Sequence, residues 1–336
     1  MPKKIWLFKC ALILILFSIG FCFGLKAQDG SFSQSYMNPV YLNPAYTGSM
    51  KVPRVGVQYR NQWPGFGNAY TSYLATFDTY IPKISSGLGF YLFNDLQGNG
   101  LYSETSFRMM YSKEIRLNRY WIMYGSLSAG AQMNSLNFNR LIFHDGIDLE
   151  SGLHIPSNEA TPESNSRLIP DFGTGLLFFN DKYFFGFAAD HLTQPDQSLY
   201  SAYPDKIPAK FTFHLEMNLP WFHPGHWRKY LKLNPNFVIQ SQGREQSYMY
   251  GIYANRKGLS LGLWNRFTNP KSNDMIVMVG FIGKQFKTAV SYDLNVKGVG
   301  LRSQGAVEIS ISWLLRDPGE KSVFPFYEIP GEWDIH

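Results

Sequence analysis

From Val52 onward, apolar and polar residues alternate with a period of two rather than 3.6. In the run near 305–315, Val307, Ile309, Ile311 and Trp313 point one way and Glu308, Ser310 and Ser312 the other. Just before it, Phe286, Thr288, Val290, Tyr292 and Leu294 alternate with Lys287, Ala289, Ser291 and Asp293. Read this way, the chain predicts strands near 54–60, 70–81, 87–95, 105–117, 120–136, 170–180, 183–190, 209–218, 231–241, 247–255, 259–267, 274–283, 286–294 and 305–315. Turn chemistry at Asn118-Arg119, Asn180-Asp181-Lys182 and Asn255-Arg256-Lys257-Gly258 supports the divisions.

The connections also alternate. Pro82–Ser86, Asn118-Arg119, Asp181-Lys182, Arg256–Gly258 and Lys284-Gln285 are short, and only Pro220–Tyr230 in that set is long. The intervening connections, 61–68, 96–104, 137–169, 193–208, 241–246, 268–273 and 295–304, are all longer than a tight turn. Membrane barrels pair short periplasmic turns with long extracellular loops in this way, and have an even number of strands.

A soluble sandwich alternates too, so composition decides between them. Aromatic residues are 17% and charged residues 17%, against about 25% charged in soluble domains. Past the N-terminal segment no apolar run is long enough for a spanning helix of ~20 residues. Girdle-type residues recur at strand ends, as at Tyr120-Trp121 and Trp313. The expected class is all-β, a transmembrane antiparallel β-barrel of about 14 strands with an N-terminal periplasmic or plug-like arm.

Lys3 and Lys4, the apolar run from Ile5 to about Phe23, and the small-residue site at Ala27 have the form of a cleaved signal peptide. Phe21 before Cys22 departs from a lipoprotein site. The domains expected are 1–27 leader, 28–51 arm, 52–315 barrel and 316–336 periplasmic tail, with both ends of the exported chain on the periplasmic side. Cleavage removes both cysteines, Cys10 and Cys22, and with them any disulfide or thiolate metal site. It also takes Lys+Arg from 31 to 27 against 25 Asp+Glu, a net charge of 27 − 25 = +2, and leaves no basic stripe to argue for nucleic acid. Outer-membrane lipid is the first expected partner.

Residues that could carry chemistry are sparse. His223 and His226 offer two ligands in one turn, where a zinc site needs three or four. Asp145, Asp148 and Glu150 lack the spacing of a calcium loop. Asp190-His191 with Ser198 is the nearest approach to a hydrolase set, and sequence adjacency does not make the residues converge. No phosphate loop, nucleophile elbow or dinucleotide fingerprint is present. Catalysis, metals and cofactors are therefore not expected.

The remaining signal is Phe32-Ser33-Gln34-Ser35-Tyr36-Met37-Asn38-Pro39-Val40-Tyr41-Leu42-Asn43-Pro44-Ala45-Tyr46-Thr47-Gly48. Each Asn-Pro step favours a turn, and the stretch is too apolar to float free, so it reads as a plug that packs the lumen or as a docking surface. Together with Tyr59-Arg60-Asn61-Gln62-Trp63-Pro64, Gly87-Leu88-Gly89-Phe90 and Asn94-Asp95, it resembles the PorP/SprF family of the type IX secretion system. The positions that carry the motif are Phe32, Gln34, Asn38, Pro39, Asn43, Pro44, Gly48, Arg60, Gln62 and Trp63. The resemblance implies a non-enzymatic outer-membrane component that exports or anchors a surface protein, such as an adhesin used in gliding, by binding its type IX C-terminal domain, together with other type IX components. On that reading the long loop 137–169 is the expected contact surface. Its apolar residues Leu141, Ile142, Phe143, Leu149, Leu153 and Ile155 form a plausible protein-binding patch. A passive porin or small-molecule transporter is the alternative.

Overall fold

The computed structural model describes residues 29–67, 69–141, 143, 165–180, 182–199, 204–220, 232–269, 272–297 and 303–316. The leader, the tail beyond Arg316, and Ile142, Leu149, Leu153 and Ile155 of the long loop lie outside the described residues.

The strands are β1 (Arg54–Gln62), β2 (Tyr70–Ile81), β3 (Ser86–Gln97), β4 (Tyr102–Arg116), β5 (Ile122–Leu136), β6 (Ser166–Phe179), β7 (Tyr183–Asp190), β8 (Lys210–Met217), β9 (Leu219–Pro220), β10 (Lys232–Gln242), β11 (Glu245–Arg256), β12 (Leu259–Asn269), β13 (Ser272–Ile282), β14 (Phe286–Lys297) and β15 (Ala306–Leu314). Each pairs antiparallel with its neighbour, and β15 pairs with β1 in register from Arg54↔Leu314 to Gln62↔Ala306. The sheet therefore closes on itself and leaves no free edge at the seam.

β9 is not a separate stave. β8 and β9 keep one register on β10, with Glu216↔Asn236 and Leu219↔Leu233. The lapse between them falls opposite Pro235, which has no N–H to donate. Counting β8–β9 as one, fourteen strands form the wall, each at the place the alternation predicted.

Two connections are shorter than expected. β10 and β11 zip as far as Gln242↔Glu245, leaving only Gly243-Arg244. β12 and β13 run on to Asn269 and Ser272. The pairing continues through polar residues past the apolar band, where composition no longer marks a strand. The asymmetry of the two rims survives through the connections 63–69, 137–165, 191–209 and 298–305 on one side. The opposite rim carries the tight turns 82–85, 117–121 and 257–258, with 221–231 its one long connection, and in membrane barrels the short turns are the periplasmic ones.

The faces sort as period two requires. On β15, Ile309, Ile311 and Trp313 are exposed outward, while Glu308, Ser310 and Ser312 are wholly buried. No helix among the described residues is long and apolar enough to cross a membrane. The outer surface carries an aromatic girdle at each end. Trp121 packs edge-on to Phe185 near the turn rim, and Tyr59 meets Tyr73 and Trp63 meets Tyr70 toward the loop rim.

Candidate functional site

The lumen is occupied by the chain's own arm. Two short elements give the arm its shape: helix α1 (Pro39–Leu42) and a 3-10 turn at Pro44–Tyr46. Each begins at the proline of an Asn-Pro step. Proline suits a first helical position because its missing N–H would be unpaired there in any case. The side chain of Asn43 accepts from the N–H of Ala45 at 2.9 Å and so caps the second turn.

At the loop rim, Asp29 is held by side chains of β8 and β10 and by the residue that follows β7. Its carboxylate lies 2.9 Å from His191 Nε2, accepts from Lys210 Nζ at 3.3 Å and accepts from Gln242 Nε2 at 2.8 Å, and its own N–H donates back to Gln242 Oε1 at 3.2 Å. Burial opposes the charge on Asp29. Lys210 and His191, with hydrogen bonds from His191 and Gln242, outweigh it and hold this carboxyl well below the usual carboxylate range.

Deeper in the lumen a cluster of buried charges grips Ser33 and Gln34. Both backbone N–H groups donate to the Glu308 carboxylate at 2.8 Å. Ser33 Oγ donates to Asp293 at 2.6 Å and accepts from Arg60 at 2.7 Å and Arg266 at 3.0 Å. Arg60 pairs with both Asp293 and Glu308, and Arg266 with both Asp293 and Asp274. Gln34 Nε2 donates to Ser291 Oγ at 2.8 Å and its Oε1 accepts from Ser310 Oγ at 2.7 Å. Each buried charge thus has an opposite partner and hydrogen bonds, the condition for keeping charge out of water.

The middle of the arm is fitted to gaps in the wall. Asn38 donates to Gln58 and accepts from Thr76, and a Cβ on Gly56 would come within 1.7 Å of its Oδ1. Asn43 Nδ2 donates to the carbonyls of Leu176 at 3.1 Å and Phe187 at 3.2 Å and lies 3.0 Å from His214 Nε2. Its amide reaches them because Gly175 and Gly186, inward positions of β6 and β7, have no side chains: a Cβ on Gly175 would sit 2.2 Å from Asn43 Oδ1. Tyr36 stacks on Tyr253 and Trp264, with ring centroids 5.2 and 5.7 Å away, and Phe32 sits edge-on to Tyr41 and Phe93.

At the turn rim the arm leaves for β1. Gly48 has φ +70, a left-handed conformation, and its N–H donates to Asp78 at 2.8 Å. Asp78 is also paired with Arg54 at 2.7 Å. Thr47 O accepts from Ser112 Oγ at 2.5 Å, and Lys51 pairs with Glu114. Three of the spaces between arm and wall measure about 30, 20 and 10 Å³, room for a water or two apiece.

The motif residues Phe32, Gln34, Asn38, Pro39, Asn43, Pro44, Gly48 and Arg60 therefore share one lumenal site. Gln62 sits at its edge, accepting from Arg60, while Trp63 lies at the outer rim, donating its N–H to Gly305 O at 2.7 Å. Leu141 and Phe143 are half-buried at the start of the long loop and belong to no common site with the arm. Ser198 bonds Asp196 and Arg167 rather than His191, whose two nitrogens face Asp29 and Asp171. The wall residues Glu308, Asp293, Arg266, Lys210 and Gln242 were not singled out in advance. Their one sequence signal is polar parity on strands, which does not say what they face.

The family model of the type IX secretion system membrane protein PorP/SprF matches residues 24–313. The chain belongs to the PorP/SprF family. It is thus an outer-membrane component of the type IX secretion system. No curated protein sequence matches this chain. Among solved structures it is similar to Omp33 of Acinetobacter baumannii, at 6% identity over 79% of this chain and 98% of that one with a TM-score of 0.43. It is likewise similar to a FadL homologue of Pseudomonas aeruginosa, at 12% identity over 82% and 93% with a TM-score of 0.43. A KdgM porin aligns at 6% identity over 78% and 99% with a TM-score of 0.39.

Proposed function

We propose that this PorP/SprF protein supports the export or surface anchoring of an adhesin-like cargo by binding the cargo's C-terminal domain at the extracellular rim. The observation behind this reading is that the lumen is filled by residues 29–48, fixed by side chains from most of the wall. A barrel filled in this way offers a protein partner its rim and loops and offers a solute little room. The loop 137–169 follows β5, one of the two longest strands, and leads into β6. Its apolar residues, among them Leu141, Ile142, Phe143, Leu149, Leu153 and Ile155, supply the contact. Other type IX components are the further partners, and the leader is removed on the way to the outer membrane.

The test is deletion of the gene. One or a few large proteins should disappear from the cell surface while outer-membrane solute uptake stays unchanged. Shortening residues 144–165 alone should reproduce that loss with the barrel still assembled. Normal surface proteins combined with a solute-permeability defect would replace this reading with a porin.

A further inference from the structure

We infer that the amino terminus of the exported chain stands at the extracellular mouth, so that the arm crosses the outer membrane inside its own barrel and seats only after the leader has been cut away.

The direction of the arm is fixed at both ends. Asp29 is bonded to His191, the residue after β7, to Lys210, the first of β8, and to Gln242, the last of β10. All three lie on the long-loop rim. Nineteen residues later the chain is at the opposite rim, with Gly48 on Asp78 near the end of β2 and Lys51 on Glu114 near the end of β4. Charges and hydrogen bonds hold the arm along the way at Ser33, Gln34, Asn38 and Asn43, so this is a built path rather than a loose strand. The C-terminal end of β15 lies at the turn rim, beside the start of β1, whereas Asp29 stands at the opposite mouth.

Reach then sets the order of events. During export the apolar run Ile5–Phe23 must occupy the inner membrane. Residues 24–28 join it to Asp29, and five residues span at most about 18 Å when fully extended. The hydrocarbon layer of the outer membrane alone is about 25 Å tall at a barrel wall, and the inner membrane lies beyond the periplasm. A leader still attached would also have to return through a lumen that the arm already fills. Hydrolysis of the Ala27–Gln28 peptide bond, with water supplying hydroxyl to the carbonyl and a proton to the amine, removes the tether and leaves a short free end. Leader proteolysis therefore precedes seating of the plug.

The chain after the leader has no cysteine, so it accepts single-cysteine probes. Gly-Cys-Gly would be inserted between Gln28 and Asp29, with Phe66→Cys marking the loop rim and Lys83→Cys the turn rim. Intact cells would be treated with a membrane-impermeant maleimide. The insertion and Phe66→Cys should label together, and Lys83→Cys only after permeabilisation. An insertion that labels only after permeabilisation, or only after denaturation, overturns the inference. So does labelling of Lys83→Cys on intact cells. In parallel, Ala27→Phe would block cleavage. The uncleaved chain should lack the heat-modifiable, protease-resistant form, and an uncleaved chain that acquires that form also overturns the inference. Neither measurement involves cargo, so the outcome is independent of the secretion role.

Discussion

Arg60 of β1 and Glu308 of β15 face each other across the seam that closes the barrel, and their 2.9 Å ion pair also carries the arm. The carboxylate that binds Arg60 accepts the N–H groups of Ser33 and Gln34 and the amide of Gln58. One residue thus ties together the first strand, the last strand and the plug. Glu308→Ala leaves Arg60 with Asp293 as its one carboxylate partner and strands two arm donors. Breaking a buried pair on one side costs about 3–5 kcal/mol, so the variant should lose its folded, heat-modifiable form at a lower temperature and expose the arm to protease. An unchanged transition would show that the cluster is not holding the plug.

The arm should govern conductance. Purified wild-type protein in a planar bilayer is expected to show no stable solute-sized pore. A chain with residues 29–50 deleted and the leader retained, if its barrel still resists protease, should conduct. Equal conductance by both proteins would mean that the arm does not occlude the lumen.

Gly186→Ala probes the fit between wall and arm. The added Cβ would lie 2.5 Å from His214 Nε2 and 2.7 Å from Asn43 Nδ2, so Asn43 must withdraw from the carbonyls of Leu176 and Phe187. Leaving the buried Asn43 amide without these acceptors costs about 1–3 kcal/mol. Increased hydrogen exchange should appear at Asn43–Tyr46 and not at β12–β13. Gly125→Ala, whose Cβ would make an ordinary 3.7 Å contact with Leu176 Cδ2, should leave the arm undisturbed.

Asp29 makes the outer end of the arm insensitive to mild acid. Its carboxyl is lowered in the folded chain, so its contribution is complete above the unfolded carboxylate value and is lost only as pH falls through the lowered folded value. An unperturbed aspartate titrates near pH ~4. Exchange protection at the Asp29 N–H, which donates to Gln242, corrected for intrinsic rate, should therefore be the same at pH ~7 and pH ~5. Asp29→Asn should weaken it at both. A wild-type loss of protection confined to pH ~5 would contradict this account of Asp29.

Most of the barrel was legible because a strand in a bilayer records both of its surroundings in alternate residues. Ile309, Ile311 and Trp313 against Glu308, Ser310 and Ser312 reveal strand, phase and lipid face without any long-range knowledge. The shortening of the connections at 243–244 and after Asn269 was not legible. There the strands run on through polar residues such as Gln242, Glu245 and Asn269, and backbone pairing alone marks them.

The sequence by itself determined the fourteen strands, their inward and outward faces and the presence of an apolar, Asn-Pro-stepped arm. These are local properties: period two, turn residues and the fixed φ of proline act within a few positions of the chain. Where the arm lies, which way it runs and what holds it were decided only in three dimensions. Glu308 meets Gln34 across 274 residues and Lys210 meets Asp29 across 181. Gly175 matters only because Asn43 occupies the place where its side chain would be. A buried charge states in the sequence that it needs a partner. Only closure of the sheet, which brings the last strand beside the first around a common lumen, decides which partner it finds.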